Sequence, residues 1–125
     1  FLPLFWTQVY SGYYDAYFSK ALKVRRLIKN SYSDLFNKCE NLLIPTTPEL
    51  PFKLKNNLED PLKMYLSDIF TVPINLAGIP ALNIPAGFSS SNLPIGIQLV
   101  SNSFKEETLF SLAHILSEEE IFDTN

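Results

Sequence analysis

The chain has 125 residues and a net charge of −3; 46% of its residues are hydrophobic and 18% are charged. These values argue against an intrinsically disordered chain and against a nucleic-acid-binding module, which is usually basic. The single cysteine, Cys39, excludes an internal disulfide framework and a cysteine zinc site. No apolar run approaches the roughly 20 residues that span a bilayer. We therefore expect a soluble protein, and the sequence leaves its compartment open between the cytoplasm and an organelle (mitochondrion or plastid).

The N-terminal third of the chain predicts one long helix. The first residue is Phe1 rather than Met, and the apolar segment 1–6 lacks the basic leader of a signal peptide. We therefore expect that the chain begins inside a longer polypeptide. From Ser11 to about Cys39, apolar side chains recur at spacings of three or four, which predicts an amphipathic helix. Its cationic side, Lys23 to Lys29, is interpreted as a solvated face, with a phosphate or RNA contact as the alternative.

Three short apolar runs predict buried strands. The first is Asn41–Ile44, which is stopped by a proline. The second and third are Ala81–Ile84 and Ile95–Val100, with a turn predicted over 89–92 between them. Residues 46–59 hold two prolines and a polar tail, and this composition predicts a loop.

The central passage, residues 60–88, combines one acid with repeated helix breakers. Asp60-Pro61 is a helix start signal, which predicts a helix from Pro61 to about Phe70. A second short helix is predicted from about Pro73 to Ala77, ended by Gly78. The lone acid, Asp68, has three interpretations: part of buried structural backbone, a cap on the helix that follows, or the polar anchor in the wall of a small-molecule pocket.

The C-terminal segment predicts a last helix. Ser103 and Glu106 have the capping-box spacing, with Ser103 as the cap. Helices interleaved with apolar strands predict an α/β fold. Two or three helices cover both faces of such a sheet poorly, so we expect further parts of the sheet outside this chain. The expected apolar face of the last helix consists of Leu109, Leu112, Ala113 and Leu116.

The residues by themselves reveal no complete catalytic apparatus. His114 is a lone histidine on an amphipathic helix, which is typical of a structural or surface residue. Cys39 has no partner whose position the sequence fixes. The chain has no glycine-rich phosphate loop and no cluster of metal ligands.

Six segments, in this order along the chain, resemble the C-terminal part of amidase signature enzymes. Within the first of them, the residues Gly12–Tyr17 favour the A subunits of glutamyl-tRNA(Gln) amidotransferases in that family. The resemblance implies that residues 1–125 are a single partial domain of an α/β/α fold with a mixed sheet covered by helices. The six segments are Ser11–Tyr17, Lys23–Arg25, Pro45–Pro48, Asp60–Tyr65, Asn75–Pro80 and Leu93–Gln98.

The resemblance also implies an activity and partners. It implies a glutaminase whose ammonia passes to a B subunit, which amidates glutamyl-tRNA(Gln) with ATP and magnesium, while a small C subunit completes the assembly. Contact with tRNA is then indirect, and this chain needs no cofactor of its own. The family's catalytic groups are a serine nucleophile, a second serine with a cis peptide and a lysine, in and before a Gly/Ser-rich signature. This chain has four glycines and no such signature; Ser89–Ser91 lacks flanking glycines. We therefore assign no catalytic residue here and expect the chain alone to be inactive.

One binding residue carries over from the family. Asp68 matches the acid that binds the α-amino group of glutamine. A carboxylate in an apolar wall is suited to pair with an ammonium group. The family's arginine for the substrate carboxylate falls at about Phe1 or before it. Two other interpretations remain: a fragment of a general amidase that hydrolyses other carboxamides, or a non-catalytic remnant or scaffold.

Overall fold

A three-stranded antiparallel sheet forms the centre of the computed structural model, which describes residues 17–52 and 61–118. The strands are β1 (Asn41–Pro45), β2 (Ala81–Phe88) and β3 (Pro94–Ser101), in the spatial order β1-β3-β2. Leu99 in the central strand is opposite Leu43 on one side and Leu82 on the other. All three predicted strands are present, and the turn at 89–92 is confirmed. The predicted end of the second strand at Ile84 is wrong, since β2 continues through Pro85 to Phe88. The strands are also less buried than predicted: no residue of β1 is buried, and β2 alternates between buried or half-buried and exposed positions.

Four helices accompany the sheet within the described ranges: α1 (Ser19–Phe36), α2 (Pro61–Ser67), α3 (Val72–Ala77) and α4 (Glu106–Glu118). The α/β prediction is thus confirmed, and both strand pairs are antiparallel. The predicted start of the first helix before residue 17, the loop over 53–59 and the Asp60 cap lie outside the described residues.

One face of the sheet packs against α4. Ile84, Leu99 and Leu109 are buried together, which confirms Leu109 as a core residue. Burial of side chains of this kind contributes about 1.5–3 kcal/mol each. The side chains packed around them are Leu82, Ile97, Leu112, Ala113 and Leu116, so the expected apolar face of the last helix is confirmed.

The short helix α3 packs against α1 and buries Ile74 and Ala77. Arg25 on α1 donates from Nε to the Leu76 carbonyl, 2.8 Å away, at the C-terminal end of α3. A cation at a helix C-terminus satisfies a carbonyl that lacks a partner in the helix and complements the helix dipole. Arg25 is exposed, as the interpretation of this run as a solvated face predicts, and it also makes a structural contact with α3.

The apolar face of α1 is less covered than its periodicity predicts. No residue of α1 is buried. Tyr32 is half-buried, stacks on Phe36 with ring centroids 6.4 Å apart, and burial raises the pKa of its phenol. Val24 and Leu27, by contrast, are 54% and 65% exposed. Periodicity identifies an apolar stripe but cannot show whether the described part of the chain supplies a partner for it.

Two predicted helix boundaries are wrong for local backbone reasons. Helix α2 ends at Ser67, not at Phe70. The next two N–H groups, of Asp68 and Ile69, bond to carbonyls three residues back instead of four, both at 3.3 Å, so the α-helical bonding pattern stops there. Helix α4 begins at Glu106, and Phe104 has φ +62°, which no right-handed helix contains. Ser103 therefore lies outside α4 and cannot form the predicted capping box.

The predicted stop at Gly78 is confirmed: this residue has φ +67° and ψ +42°, and its N–H bonds back to the Ile74 and Asn75 carbonyls. We expect Gly78→Ala to lower the free energy of unfolding by about 1–2 kcal/mol, because a side chain disfavours this left-handed backbone. An added Cβ meets only Arg25 Nη2 at 3.7 Å, so backbone strain is the dominant cause.

The measurement for this prediction is urea unfolding of the full polypeptide that carries this sequence. Gly78→Asn is the matched control, because asparagine tolerates the left-handed region better than alanine does. It should lose less stability than the alanine variant. Equal stability of the alanine variant and the parent would contradict the explanation.

Candidate functional site

The candidate site is built on the turn that joins α2 to α3, residues 68–71. Its first residue, Asp68, uses its backbone carbonyl to accept hydrogen bonds from the N–H groups of Thr71 (3.1 Å) and Val72 (3.0 Å). The Thr71 hydroxyl donates to the same carbonyl at 3.3 Å. The Asp68 N–H donates to the Tyr65 carbonyl of α2 at 3.3 Å. These bonds connect the turn to both helices and fix the backbone at Asp68.

The Asp68 side chain is exposed. Within residues 17–52 and 61–118 its carboxylate has no hydrogen-bond or ion-pair partner, and the N-cap of α3 is Thr71, without a side-chain cap bond. The interpretation of Asp68 as a helix cap is therefore wrong. A carboxylate on a fixed turn, not engaged by the described residues, is available to a group from outside them.

A buried amide anchors this turn to the sheet. Gln98, in the central strand β3, is 5% exposed. Its Nε2 donates to the carbonyls of Phe70 and Pro45, each 3.3 Å away. Because side chains alternate along a strand, Gln98 lies on the sheet face opposite that of Ile97 and Leu99, which pack on α4. The turn therefore crosses the second face of the sheet.

A smaller polar contact lies beside Gln98 on this second face. The Thr46 hydroxyl hydrogen-bonds the side-chain oxygen of Asn83, the residue that pairs with Gln98 across the sheet. Gly96 makes room for this contact: a Cβ there would come within 3.0 Å of Asn83 Oδ1 and 3.2 Å of Thr46 Oγ1. The end of β1 is thus tied to β2 as well as to β3.

The roles of Gln98 and Asn83 were missed in the sequence. Both are single polar residues within otherwise apolar strands, and that was the available signal. A buried amide requires hydrogen-bond partners, but the partners of Gln98 lie 28 and 53 residues away in the chain. Sequence spacing alone does not identify such partners.

The other nucleophile and base candidates are occupied by local contacts. The Cys39 thiol bonds to the Leu35 carbonyl at 3.5 Å. His114 is exposed and pairs with Glu118, one helical turn further along α4, at 3.3 Å. Ser89 uses its hydroxyl oxygen to accept the N–H groups of Ser91 and Leu93, which closes the β2–β3 turn. This arrangement serves the turn and offers no activated nucleophile.

A shallow groove of about 350 Å³ lies apart from Asp68. It is open to solvent and lies between the segment that leaves α3 and the segment that enters α4. In the described ranges, no three His, Cys, Asp or Glu side chains gather as a metal site, and no helix combines the length and apolar character needed to cross a membrane. The groove is lined by Lys29, Gly78, Ile79, Pro80, Ser103, Phe104 and Glu106.

A family model and the curated relatives place this chain in the same family. Residues 3–110 match the model of the family described as Amidase. The chain is 47% identical over 108 residues to the A subunit of glutamyl-tRNA(Gln) amidotransferase from Pelagibacter ubique, a match that covers 86% of this chain and 22% of that protein. The chain therefore spans about a fifth of the length of the curated relatives that it matches.

Solved structures agree with the sequence comparison. The crystal structure of the A subunit of glutamyl-tRNA(Gln) amidotransferase from Thermotoga maritima superposes with a TM-score of 0.77 at 43% identity, over 85% of this chain and 23% of that one. An allophanate hydrolase from Kluyveromyces lactis superposes with a TM-score of 0.64 at 33% identity, over 73% of this chain and 15% of that one. The names of these two relatives differ in the molecule acted on, which is glutamyl-tRNA(Gln) for one and allophanate for the other.

Proposed function

Since this chain belongs to the amidase family, we propose that it is the C-terminal part of the glutaminase subunit of a tRNA-dependent amidotransferase. The observation that carries the proposal is the likeness, in sequence and fold, to the A subunit of the Thermotoga maritima enzyme. The relatives that share about half of their matched residues with this chain carry the same name. The proposed parent enzyme hydrolyses glutamine to glutamate and ammonia, and the ammonia converts Glu-tRNA(Gln) to Gln-tRNA(Gln).

In this proposal the chain supplies a wall of the glutamine pocket, and Asp68 binds the α-ammonium group of glutamine. The exposed Asp68 carboxylate and its fixed backbone support this role. Charge-assisted hydrogen bonds between a carboxylate and an ammonium group are about twice as strong as neutral ones. Such a contact selects an amino acid over a simple amide, because an amide without the ammonium group leaves the carboxylate unpaired.

The acyl-transfer chemistry is proposed to come from polypeptide outside residues 1–125. A serine nucleophile, a second serine and a lysine attack and activate the glutamine amide there. The B subunit receives the ammonia, and the C subunit supports the assembly; tRNA contacts this chain only through the complex. Asp68 then acts in substrate binding and takes no part in proton transfer.

A second candidate function is amide hydrolysis without a tRNA partner. The likeness to the Kluyveromyces lactis allophanate hydrolase, at 33% identity, favours it. The two candidates differ in the substrate group that would face the Asp68 carboxylate. Allophanate has no α-ammonium group, so Asp68 would have no cationic partner on that substrate.

The experiment that tests the proposed function is a substrate comparison with the full polypeptide that carries this sequence. We expect release of ammonia and glutamate from glutamine, at a higher kcat/KM than ammonia release from allophanate or propionamide. With B and C subunits, ATP and Mg²⁺ present, the ammonia should appear in Gln-tRNA(Gln). Preferred hydrolysis of allophanate or propionamide would support the general amidase instead. Absence of the serine and lysine signature from the upstream transcript would indicate a non-catalytic remnant.

A further inference from the structure

Gln98 is the polar side chain that joins the candidate site to the sheet. Among the described residues the buried polar side chains are those of Gln98 and Ser101. The Ser101 hydroxyl donates to the Glu40 carbonyl at 3.3 Å, and this acceptor lies immediately before the start of β1. Gln98 instead reaches across to the Phe70 carbonyl, in the turn that begins with Asp68. A buried amide donor of this kind holds its acceptors in place, because leaving them unpaired is costly.

The acceptors of Gln98 belong to two separate segments. The Pro45 carbonyl ends β1, and the Phe70 carbonyl lies two residues after Asp68. Both are 3.3 Å from the same nitrogen, Nε2, so one amide group connects the sheet, the end of β1 and the turn. The turn itself is closed by the bonds from Thr71 and Val72 to the Asp68 carbonyl. A displacement of Phe70 is therefore transmitted to Asp68.

We propose that Gln98 is a positioning residue for amino-acid selectivity: it holds the 68–71 turn at the height above the sheet at which the Asp68 carboxylate meets the substrate ammonium group. This inference rests on the proposed function. Gln98 does not touch the substrate in this arrangement. It acts through a main-chain carbonyl, and its loss frees the turn without removing the carboxylate.

The experiment compares two substrates of the full polypeptide in its assembled complex. Glutamine carries the α-ammonium group, and glutaramate is the same molecule without it. The quantity measured is the ratio of kcat/KM for glutamine to kcat/KM for glutaramate. Both rates come from one preparation, so the ratio does not depend on the fraction of protein that is folded. A variant that is merely less stable leaves the ratio unchanged.

We expect Gln98→Met, which keeps the length of the side chain and removes the amide, to lower this ratio about tenfold, because a misplaced charged partner loses much of its binding energy. Gln98→Leu should act in the same direction. Ser101→Ala is the matched control, because it removes the other buried side-chain hydrogen bond away from the turn, and it should keep the parent ratio. The double variant Asp68→Asn with Gln98→Met should fall no further than Asp68→Asn alone.

Two results distinguish failure of this inference from failure of the proposed function. If Asp68→Asn lowers the ratio but Gln98→Met and Gln98→Leu leave it unchanged, Asp68 binds the substrate and Gln98 does not position it. If Asp68→Asn itself leaves the ratio unchanged, the proposed substrate role of Asp68 is overturned, and the role of Gln98 with it. An equal fall for Ser101→Ala would also overturn the specific role of Gln98.

Discussion

Replacing Asp68 by Asn is expected to raise the KM for glutamine roughly 30- to 150-fold in the full polypeptide, since a hydrogen bond between charged groups contributes about 2–3 kcal/mol. Asparagine keeps the size of the side chain and can still accept a hydrogen bond, but it lacks the charge that pairs with an ammonium group. The backbone bonds of the turn, which involve the Asp68 carbonyl, remain available to asparagine. Steady-state glutaminase kinetics measure the change.

The controls separate charge loss from general damage. Asp34→Asn removes another exposed carboxylate, on α1, and should leave the KM unchanged. The KM for glutaramate should not rise in Asp68→Asn and should fall if it changes, because this substrate has no ammonium group to pair with the carboxylate of the parent. An unchanged KM for glutamine would show that Asp68 does not bind the substrate. A general amidase with another substrate would then be the better explanation of the family match.

The isolated 125-residue chain is expected to self-associate instead of behaving as a monomer. On α1 and on the segment around α2, large apolar side chains face solvent: Leu27 is 65% exposed and Tyr65 80%. Monomeric soluble proteins rarely expose contiguous apolar patches larger than about a few hundred Å². Sedimentation velocity over a dilution series should therefore show species larger than a monomer, and thermal unfolding should depend on protein concentration.

Charged substitutions on the exposed stripe test the cause of this association. The double variant Val24→Glu with Leu27→Lys should shift the distribution toward the monomer. Lys20→Glu with Lys23→Gln, on the same helix, alters charge without removing apolar surface and serves as the control. A sharp, concentration-independent unfolding transition of a monomeric parent chain would contradict the expectation.

The sequence predicted elements whose signals are local. The strands at 41–45 and 94–101 are apolar runs with prolines at one end, and the stop of α3 depends on Gly78, since glycine readily adopts the left-handed backbone required there. The same local reasoning was wrong where a residue took an unusual conformation. Phe104 has φ +62°, and a phenylalanine in a sequence does not indicate a left-handed backbone conformation.

The candidate site likewise combines features that the sequence predicts with features that it does not. Asp68 was identified because it is a lone acid in an apolar passage that matches a family motif. Its support was not identified, because Gln98 reaches acceptors that are distant in the chain. The exposure of the α1 stripe was also not predictable, since periodicity records which residues share a helix face but not what covers that face. Long-range contacts and coverage are properties of the folded chain.

The hydrogen bond that attaches the 68–71 turn to the sheet has an evolutionary consequence. Gln98 donates a hydrogen bond to the main-chain carbonyl of residue 70, and every amino acid has such a carbonyl. Residues at the tip of the turn can therefore be exchanged without loosening its attachment to the sheet. If the turn contacts the substrate as we propose, single substitutions at its tip would change the substrate preference while the backbone that carries them stays in place.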